Sequence, residues 1–587
     1  MIRKISRRVS EFSEKMPSPA QALISVFREG YTFNDLKSDV SAGVIVGVVA
    51  LPLSMALAIA SGVPPQHGLY TAIVAGALIA LLGGSRVQVS GPTAAFVVVL
   101  VPITAKFGFA GLALATLFAG VILVIMGISG LGRLIEFIPY PVVVGFTSGI
   151  AVVLATLQVK DFLGLSMGPM PEHYVEKIAA LARALPTFRP ADLAIGAATF
   201  FILTYWNRVF KKIPAPLFAL IAAALVGVLA EAFMPGVDVA TIRDRFASPS
   251  SPDGVPHGFP PFGWPWSFHA AGDPAMAFTP GIIKELLFAS FAIAMLGAIE
   301  SLLSAVIADG MTGHKHDPNS ELIGQGIGNI VAPFFGGFAA TGALARTATN
   351  IRFGARSPVA SVVHALFVLL SVILLARYLG YLPMAALAAL MLRVAWHMCE
   401  VKHFAHILRL APRSDVAVLL ICFGLTVVFD MVVSVSVGVM LATLLFMRRM
   451  SEVTEARLLD AGSGGDRPHV EGVLIYEIAG PLFFGAAQKA VSALKIIQNK
   501  TSVVLLDMRK VPVMDITGLI NLESALAQFE KLGIYTIVAG MGRQPLHLMA
   551  RNFMHRDRKF IRIRKSFDKA LAEAGSLAEK LAAEAST

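Results

Sequence analysis

Residues 291–309 read FAIAMLGAIESLLSAVIAD, an apolar segment of helix length that carries Glu300 near its middle. A second apolar segment, 323–338, is interrupted by glycines and leads into ATGALARTATN at 340–350. A carboxylate between apolar turns is costly in hydrocarbon, and such residues usually mark a functional site in a membrane helix. We therefore expect this stretch to decide the class of the fold and the position of its working site.

The composition of the whole chain agrees with a membrane protein. Hydrophobic residues make up 56% of the sequence, charged residues make up 15%, and the mean hydropathy is +0.71. A soluble protein is about a quarter charged. The net charge is +11, but the basic residues lie between apolar runs instead of on one domain. This pattern is typical of cytoplasmic loops and argues against a nucleic-acid partner.

The apolar segments form two sets on either side of a polar, proline-rich loop at about 236–280. Seven candidate spans precede the loop and seven follow it, so we predict a polytopic α-helical protein with fourteen spans. The excess of Lys and Arg places both termini on the cytoplasmic side of the membrane. The candidate spans lie at about 40–61, 69–82, 86–103, 108–128, 141–159, 191–207, 214–234, 283–308, 321–336, 338–351, 357–377, 383–397, 415–430 and 432–448.

A different composition begins after Arg449. Apolar strands such as VLIYEIAG, SVVLLDMRKV and YTIVAG alternate with the helical stretches FFGAAQKAVSALKIIQ and GLINLESALAQFEKL. This alternation predicts a small α/β domain in the cytosol. The expected domains are a cytosolic N-terminal segment at 1–39, a transmembrane transport domain at 40–449, a linker at 450–467 and the α/β domain at 468–587.

Two apolar segments, one in each half, are interrupted in a similar way. Segment 86–103 contains SGP at 90–92, and segment 338–351 contains TG at 341–342. Broken helices at matching positions in two halves point to the binding site in transporters built from inverted repeats. A helix that starts inside the membrane exposes unpaired N–H groups worth about half a positive charge, which suits an anion. The alternative is that both interruptions are packing kinks, since glycine and proline are frequent in membrane helices.

The amides at these two helix starts are the candidate substrate ligands. With Gly91 as a cap and Pro92 at the first helical position, the first terminus would expose the amides that follow. The second terminus is expected to expose the equivalent residues after Ala340. The candidates are Thr93, Ala94 and Ala95 in the first segment and Thr341, Gly342, Ala343 and Leu344 in the second.

Three side chains near these termini are candidates for charge and proton handling. Arg346 would supply a fixed positive charge if it faces the cavity, or would extend to the membrane surface if it does not. Glu300 and Ser304 are four residues apart on one helix face and are candidates for proton coupling. Burial favours the protonated form of a carboxyl and a nearby guanidinium favours the ionised form, so protonation could be coupled to anion occupancy. The alternative for Glu300 is a structural contact between helices.

Several motifs carry a resemblance to a known family. The segments SRVQVSGPTAAFVVVL (85–100), GRLIEFIP (132–139), LGAIESLLSAVIADGMTG (296–313) and SELIGQGIGNIVAPFFGG (320–337), with ARTATN after them, resemble the SulP family of anion transporters. The C-terminal part resembles a STAS domain. Segments such as KDFLGL (160–165) and SVGVMLATLLFMRR (436–449) look most similar to bacterial transporters of four-carbon dicarboxylates.

The resemblance implies two inverted repeats of seven helices, a core domain that moves against a gate domain, and a homodimer. It places the substrate between the half-helices at Ala94 and Ala343, with Arg346 lining the site. Sodium-coupled bicarbonate relatives carry Asp-Ser-Leu-Leu-Thr where this chain has Glu300-Ser301-Leu302-Leu303-Ser304, a difference that favours protons over sodium. The implied function is proton-coupled uptake of succinate, fumarate or aspartate. The alternatives are a sulfate or bicarbonate carrier, an anion channel, or a sensor that works through its STAS domain.

In the STAS part, VPVMDITGL (511–519) places Thr517 two residues after Asp515. Anti-sigma-antagonist relatives carry a phosphorylatable serine at the corresponding position, which makes Thr517 a possible phosphosite and suggests a cytosolic protein partner. The simpler interpretation is that Asp515 and Thr517 cap a helix.

The sequence gives no indication of an enzyme. It has no P-loop and no catalytic triad. GHKHD (313–317) has two histidines in a polar turn without further ligands nearby, and Cys399 and Cys422 lie in or beside apolar segments. We therefore expect no cofactor and no metal. The expected partners are a small anion, protons, membrane lipid, a second copy of the chain and a possible protein bound to the STAS domain.

Overall fold

A computed structural model describes residues 19–585 apart from gaps at 136–137, 169, 172, 211–213, 235–237, 249–250, 269–278, 430, 454, 460–469, 471, 484–502 and 554–559. The chain forms two compact units, Met1–Val439 and Met440–Thr587. The first unit contains the apolar helices, and the second contains the C-terminal sheet.

Each span expected before the long loop corresponds to a helix or part of one. Helix α2 begins after Thr32, which accepts a hydrogen bond from the Asp35 amide while the Asp35 side chain accepts from the Thr32 amide. This reciprocal cap satisfies two donors that the first turn would otherwise leave unpaired. The helices of this half are α1 (Gln21–Glu29), α2 (Phe33–Ala60), α3 (Pro65–Leu82), α4 (Ala94–Ile128), α5 (Gly132–Ile135), α6 (Tyr140–Phe162), α7 (Tyr174–Ala184), α8 (Pro190–Val209) and α9 (Ala215–Phe233).

The third and fourth expected spans are joined in α4, a helix of 35 residues. They are separated by a kink at Gly108, whose φ of 64° and ψ of −170° are not helical. Glycine adopts a positive φ without the steric cost that a side chain brings. The kink therefore divides one continuous helix into the two segments that the sequence indicates.

The second half of the unit also consists of helices, most of which follow the long loop. A short helix, α10 (Ile242–Phe246), lies in the long loop. Asp317 caps α12 by accepting hydrogen bonds from the amides of Asn319 and Ser320. The remaining helices are α11 (Pro280–Thr312), α12 (Pro318–Val331), α13 (Leu344–Arg352), α14 (Val359–Leu379), α15 (Met384–Met398), α16 (Val401–Leu410), α17 (Arg413–Val428) and α18 (Met431–Val453).

Among the described residues, eight helical segments are long and apolar enough to cross a membrane. They are α2, α3, α4, α6, α9, α11, α14 and the stretch Met384–Leu410. The half-helix α13, with nine residues, is too short to be counted among them. The chain is thus a polytopic α-helical membrane protein, as its sequence predicts.

A two-stranded antiparallel sheet joins the two halves in the middle of the first unit. Strand β1 (Ser90–Gly91) pairs with β2 (Thr341–Gly342), with Ser90 opposite Gly342 and Gly91 opposite Thr341. Each strand stands directly before a half-helix, α4 or α13. Antiparallel pairing of equivalent segments agrees with the inverted repeat that the family resemblance implies.

The second unit has one five-stranded sheet in the order β3-β4-β5-β6-β7. Strands β4 (Val473–Ala479), β5 (Val503–Lys510), β6 (Tyr535–Ala539) and β7 (Ile561–Arg564) are parallel. Strand β3 (Glu455–Leu459) pairs antiparallel with β4, although we expected a linker at 450–467. The helices α19 (Ile516–Lys531), α20 (Arg543–Phe553) and α21 (Phe567–Ala585) complete the α/β unit, and the helix expected in FFGAAQKAVSALKIIQ falls almost entirely outside the described residues.

Helices α4 and α12 pack at very short range in the first unit. A Cβ atom added to Gly326 would lie 2.6 Å from the Gly120 carbonyl oxygen and 2.8 Å from the Val124 amide nitrogen. Both of those atoms belong to the backbone and cannot rotate away. The position therefore tolerates no side chain unless the two helices separate.

We predict that Gly326→Ala lowers the thermal unfolding temperature, because overpacking a tight interface typically costs ~1–3 kcal/mol. The control is Gly310→Ala on α11, where an added Cβ meets nothing within 4 Å. Thermal unfolding of both variants in detergent measures the difference. Equal unfolding temperatures would contradict the close packing of α4 and α12.

Candidate functional site

The N-termini of α4 and α13 meet at the sheet that joins the two halves. Thr93 precedes α4 and Ala343 precedes α13, and neither residue caps its helix with a side-chain hydrogen bond. The first amides of each helix have no partner within the helix. Two helix ends, each worth about half a positive charge, are therefore held beside one pair of strands.

The first terminus lies slightly later in the chain than the sequence suggests. Helix α4 begins at Ala94, so Pro92 precedes the cap instead of occupying the first helical position. Thr93, Ala94 and Ala95 are all buried and start the helix as a group. The structure thus places the three candidate ligands of this segment together.

The second terminus differs more from the expectation. Thr341 and Gly342 form β2, and the Thr341 hydroxyl donates to the Gly297 carbonyl at 2.9 Å. The Ala343 amide donates to the Val89 carbonyl at 2.8 Å. These three candidates are therefore used in pairing, because the antiparallel sheet extends to Ala343. The first turn of α13 instead begins with Leu344, which is 38% exposed, followed by Ala345 and Arg346.

Glu300 lies near the middle of α11 and faces the start of α4. Its Oε2 atom accepts a hydrogen bond from the Thr93 hydroxyl at 2.8 Å. Thr93 is a residue type that commonly caps its own helix, yet its hydroxyl is donated to the carboxyl instead. The acid and the uncapped helix end are thus linked by a direct contact.

Ser304 lies one turn further along α11 and contacts the other half-helix. Its hydroxyl donates to Thr347 Oγ1 at 3.3 Å, and the same Thr347 oxygen accepts from the Val89 amide at 3.1 Å. Ser304 therefore holds α11 to α13, whereas Glu300 holds α11 to α4. The two residues share a helix face, as expected, but they serve different half-helices.

Arg346 reaches from α13 to the backbone in front of α4. Its side chain is 3% exposed, and Nη2 donates to the Pro92 carbonyl. The Nε and Nη1 atoms have no hydrogen-bond partner among the described residues. A buried guanidinium with unused donors is suited to a carboxylate or another oxyanion. Of the two alternatives left open by the sequence, the structure therefore favours the inward-facing arginine.

A buried network beside this site was not identified from the sequence. Glu321 on α12 accepts hydrogen bonds from the amides of Gly84 and Ser85, from Gln88 Nε2 at 2.9 Å and from the Ser301 hydroxyl at 3.2 Å. Glu321 is 1% exposed, so four donated hydrogen bonds offset the loss of water. The sequence could have indicated this network, because Glu321 is a second carboxylate in an apolar segment.

His364 was also not identified from the sequence. It is fully buried on α14 and interacts electrostatically with Arg346. A histidine in an apolar segment gives little indication of its neighbours. Its proximity to Arg346 comes from the fold alone.

The structure places the C-terminal candidate residue in a helix cap. Asp515 precedes α19, and its Oδ1 atom accepts from the Gly518 amide at 2.6 Å. Thr517 lies in the first turn of that helix and is partly exposed. The geometry fits the capping interpretation, and phosphorylation of Thr517 stays a prediction.

Comparison with known proteins places this arrangement in a family. Residues 36–422 match the model of the sulfate permease family, and residues 466–570 match the STAS domain. The chain belongs to the sulfate permease family. The resemblance inferred from its motifs is thereby confirmed.

Two bacterial relatives of this chain match over most of their length. The putative sulfate transporter YvdB of Bacillus subtilis (strain 168) is 40% identical over 89% of this chain and 94% of its own. The bicarbonate transporter BicA of Picosynechococcus sp. is 31% identical over 84% of this chain and 87% of its own. The chain is accordingly an anion transporter and not an enzyme.

Two solved structures share the fold. The structure of SLC26A9 has a TM-score of 0.78 at 17% identity and covers 95% of this chain and 93% of its own. The transmembrane domain of a cyanobacterial BicA has a TM-score of 0.59 at 26% identity and covers 70% of this chain and 98% of its own. YvdB is named for sulfate and BicA for bicarbonate, so these two relatives do not support the dicarboxylate specificity that we expected.

The Glu321 network generates a test of stability. We predict that Glu321→Gln destabilises the transmembrane unit by about 1.5–3 kcal/mol, because glutamine has one acceptor oxygen where the carboxylate has two. If that oxygen accepts from the amides of Gly84 and Ser85, the NH2 group faces the Gln88 and Ser301 donors. Glu285→Gln on α11 is the control, since Glu285 is half-exposed and pairs with Lys106. Denaturation of both variants in detergent measures the effect. A Glu321→Gln variant as stable as the control would show that the network is dispensable.

Proposed function

We propose that this chain takes up small anions together with protons by alternating access, and that its substrate is a four-carbon dicarboxylate such as succinate, fumarate or aspartate. The observation that carries the proposal is the hydrogen bond of 2.8 Å between Thr93 and Glu300. It connects an ionisable group to the helix end that would bind the anion. The motifs shared with bacterial dicarboxylate transporters support the choice of substrate.

The charges around the site explain how proton and anion binding would be coupled. Two helix ends contribute about one positive charge together, and Arg346 contributes another. An ionised Glu300 cancels one of these charges, and a protonated Glu300 restores it. The site then carries about two positive charges, which match a divalent anion. Binding of a proton and binding of a dicarboxylate therefore favour each other.

The separation of Glu300 and Ser304 supports protons over sodium. A sodium ion needs several oxygen ligands around one point. The Glu300 carboxyl is directed to Thr93, and the Ser304 hydroxyl is directed to Thr347 on the other half-helix. The two side chains do not converge on one position, whereas a proton needs only the carboxyl.

The remaining features of the proposal follow the family resemblance. The chain would work as a homodimer in the bacterial inner membrane, with both termini cytoplasmic. A core domain carrying the two half-helices would move against a gate domain. The STAS unit would bind a cytosolic protein, and Thr517 is a candidate site for its regulation.

A second candidate substrate is sulfate, which is favoured by the name of the relative that is 40% identical. Sulfate is also divalent, so it fits the same balance of charge. Bicarbonate, which the BicA relatives are named for, carries one charge and fits this balance less well. Side-chain contacts to the far end of a longer anion would separate the two divalent candidates.

We predict that Glu300→Gln abolishes acid-stimulated uptake in proteoliposomes while exchange of bound anion continues. A glutamine keeps the hydrogen bond to Thr93 but cannot release a proton. The control is Glu285→Gln on the same helix, at a half-exposed position paired with Lys106. Uptake by Glu300→Gln that keeps the pH dependence of the wild type would remove Glu300 from proton coupling.

We also predict that succinate competes with radiolabelled substrate at least about tenfold more strongly than sulfate or bicarbonate, a difference of ~1.4 kcal/mol in binding. Arg346→Lys should weaken the binding of all three anions, because lysine lacks the planar fork of donors that arginine has. Stronger competition by sulfate would show that sulfate and not a dicarboxylate is the substrate, but it would not contradict proton coupling.

A separate measurement distinguishes a carrier from a channel. A conductance in planar bilayers far above the turnover of a carrier would indicate a channel instead.

A further inference from the structure

A cavity lies between helices α6, α8 and α15, apart from the residues of the candidate anion site. Its volume is about 340 Å³. Apolar side chains line it, including Ala155 on α6 and Phe200 on α8, and Cys399 lines it directly after α15. Trp396 stands at its edge with 62% of its surface exposed. A cavity of this composition takes a hydrocarbon group and not an anion.

The cavity has the length of one membrane leaflet. Its lining on α6 extends from Ala151 to Phe162, which is about 16 Å at 1.5 Å per residue. The hydrocarbon core of a bilayer is about 30 Å thick, so one leaflet contributes about half of that. One end of the cavity is at Cys399, two residues before α16 begins.

The width of the cavity excludes a helix from a second copy of the chain as its occupant. Even the full free space of about 710 Å³, spread over about 16 Å, corresponds to a mean cross-section of about 44 Å². An α-helix with its side chains is about 10–12 Å across and needs about twice that area. A single extended hydrocarbon chain fits.

Helix α16 supplies positive charge at the Cys399 end. Its apolar face packs through Ile407 against α6 and α17. Lys402, His406 and Arg409 are spaced four and three residues apart, so they share another face, and all three are exposed. Glu400, which directly precedes the helix, pairs with His403. Such a helix is typical of one that lies in the membrane interface and attracts anionic lipid.

We infer that this cavity binds one acyl chain of an anionic phospholipid from the leaflet on the α16 side, with its phosphate held by Lys402 and Arg409. The acyl chain enters the cavity past Trp396, a residue type that is enriched at the level of the lipid headgroups. The apolar cavity selects the tail, and the charged face of α16 selects the headgroup. This site is independent of the proposed transport function.

The test is native mass spectrometry of the full chain released from detergent, with phosphatidylglycerol and phosphatidylcholine as probes. We expect the wild type to retain phosphatidylglycerol in preference to phosphatidylcholine. Ala155→Trp, which fills the cavity, should weaken retention of phosphatidylglycerol about tenfold. The matched control is Val226→Trp, which introduces the same side chain at an exposed position of α9. Lys402→Gln combined with Arg409→Gln should remove the preference between the two lipids.

Equal retention of phosphatidylglycerol by Ala155→Trp and Val226→Trp would overturn the inference, and so would a change of oligomeric mass in Ala155→Trp alone.

A second measurement covers the case in which Ala155→Trp does not fold. In a Cys422→Ser background, added phosphatidylglycerol should slow alkylation of Cys399 by a maleimide several-fold more than phosphatidylcholine does. Equal rates of alkylation with the two lipids would also overturn it.

Discussion

The pairing of β1 with β2 is the constraint on which the transmembrane unit depends. Extended backbone inside a membrane must satisfy its N–H and C=O groups within the protein, because lipid offers no partners. Ser90 and Gly91 meet this requirement by pairing with Gly342 and Thr341 from the other half of the chain. The pairing fixes where α4 and α13 begin, so it also fixes where their positive ends lie. A membrane protein with two broken helices thereby gains one concentrated region of positive potential.

The side chains around this region keep it polar without closing it. Thr93 donates its hydroxyl to Glu300 and leaves the α4 terminus uncapped, and Arg346 donates to the Pro92 carbonyl with only part of its guanidinium. Ser304 holds α11 to α13, and Glu321 holds α12 to α11 and to the segment before β1. The donors that remain unused are the ones that an anion would occupy. Groups that already have a partner are therefore structural contacts, and the donors without one are the candidate binding groups.

The sequence predicted the class of the fold, the two interrupted segments and the approach of Glu300 to the half-helices, because each depends on a local pattern in apolar surroundings. It did not predict that Thr341, Gly342 and Ala343 would be used in sheet pairing, since the partner strand lies about 250 residues away in the chain. The Glu321 network and the position of His364 depend on contacts of the same long range. The orientation of Arg346 was left open for the same reason, because one helical turn decides whether it faces Pro92 or the membrane surface. The identity of the anion depends on the shape of a pocket, which no local motif encodes.

The central claim is that binding of the anion and protonation of Glu300 are one coupled event. The most direct measurement is the number of protons taken up from weakly buffered solution when saturating succinate is added to the purified chain. Here we expect close to one proton per bound anion in the wild type and none in Glu300→Gln. Anion binding without proton uptake in the wild type, or equal uptake in both proteins, would contradict the claim.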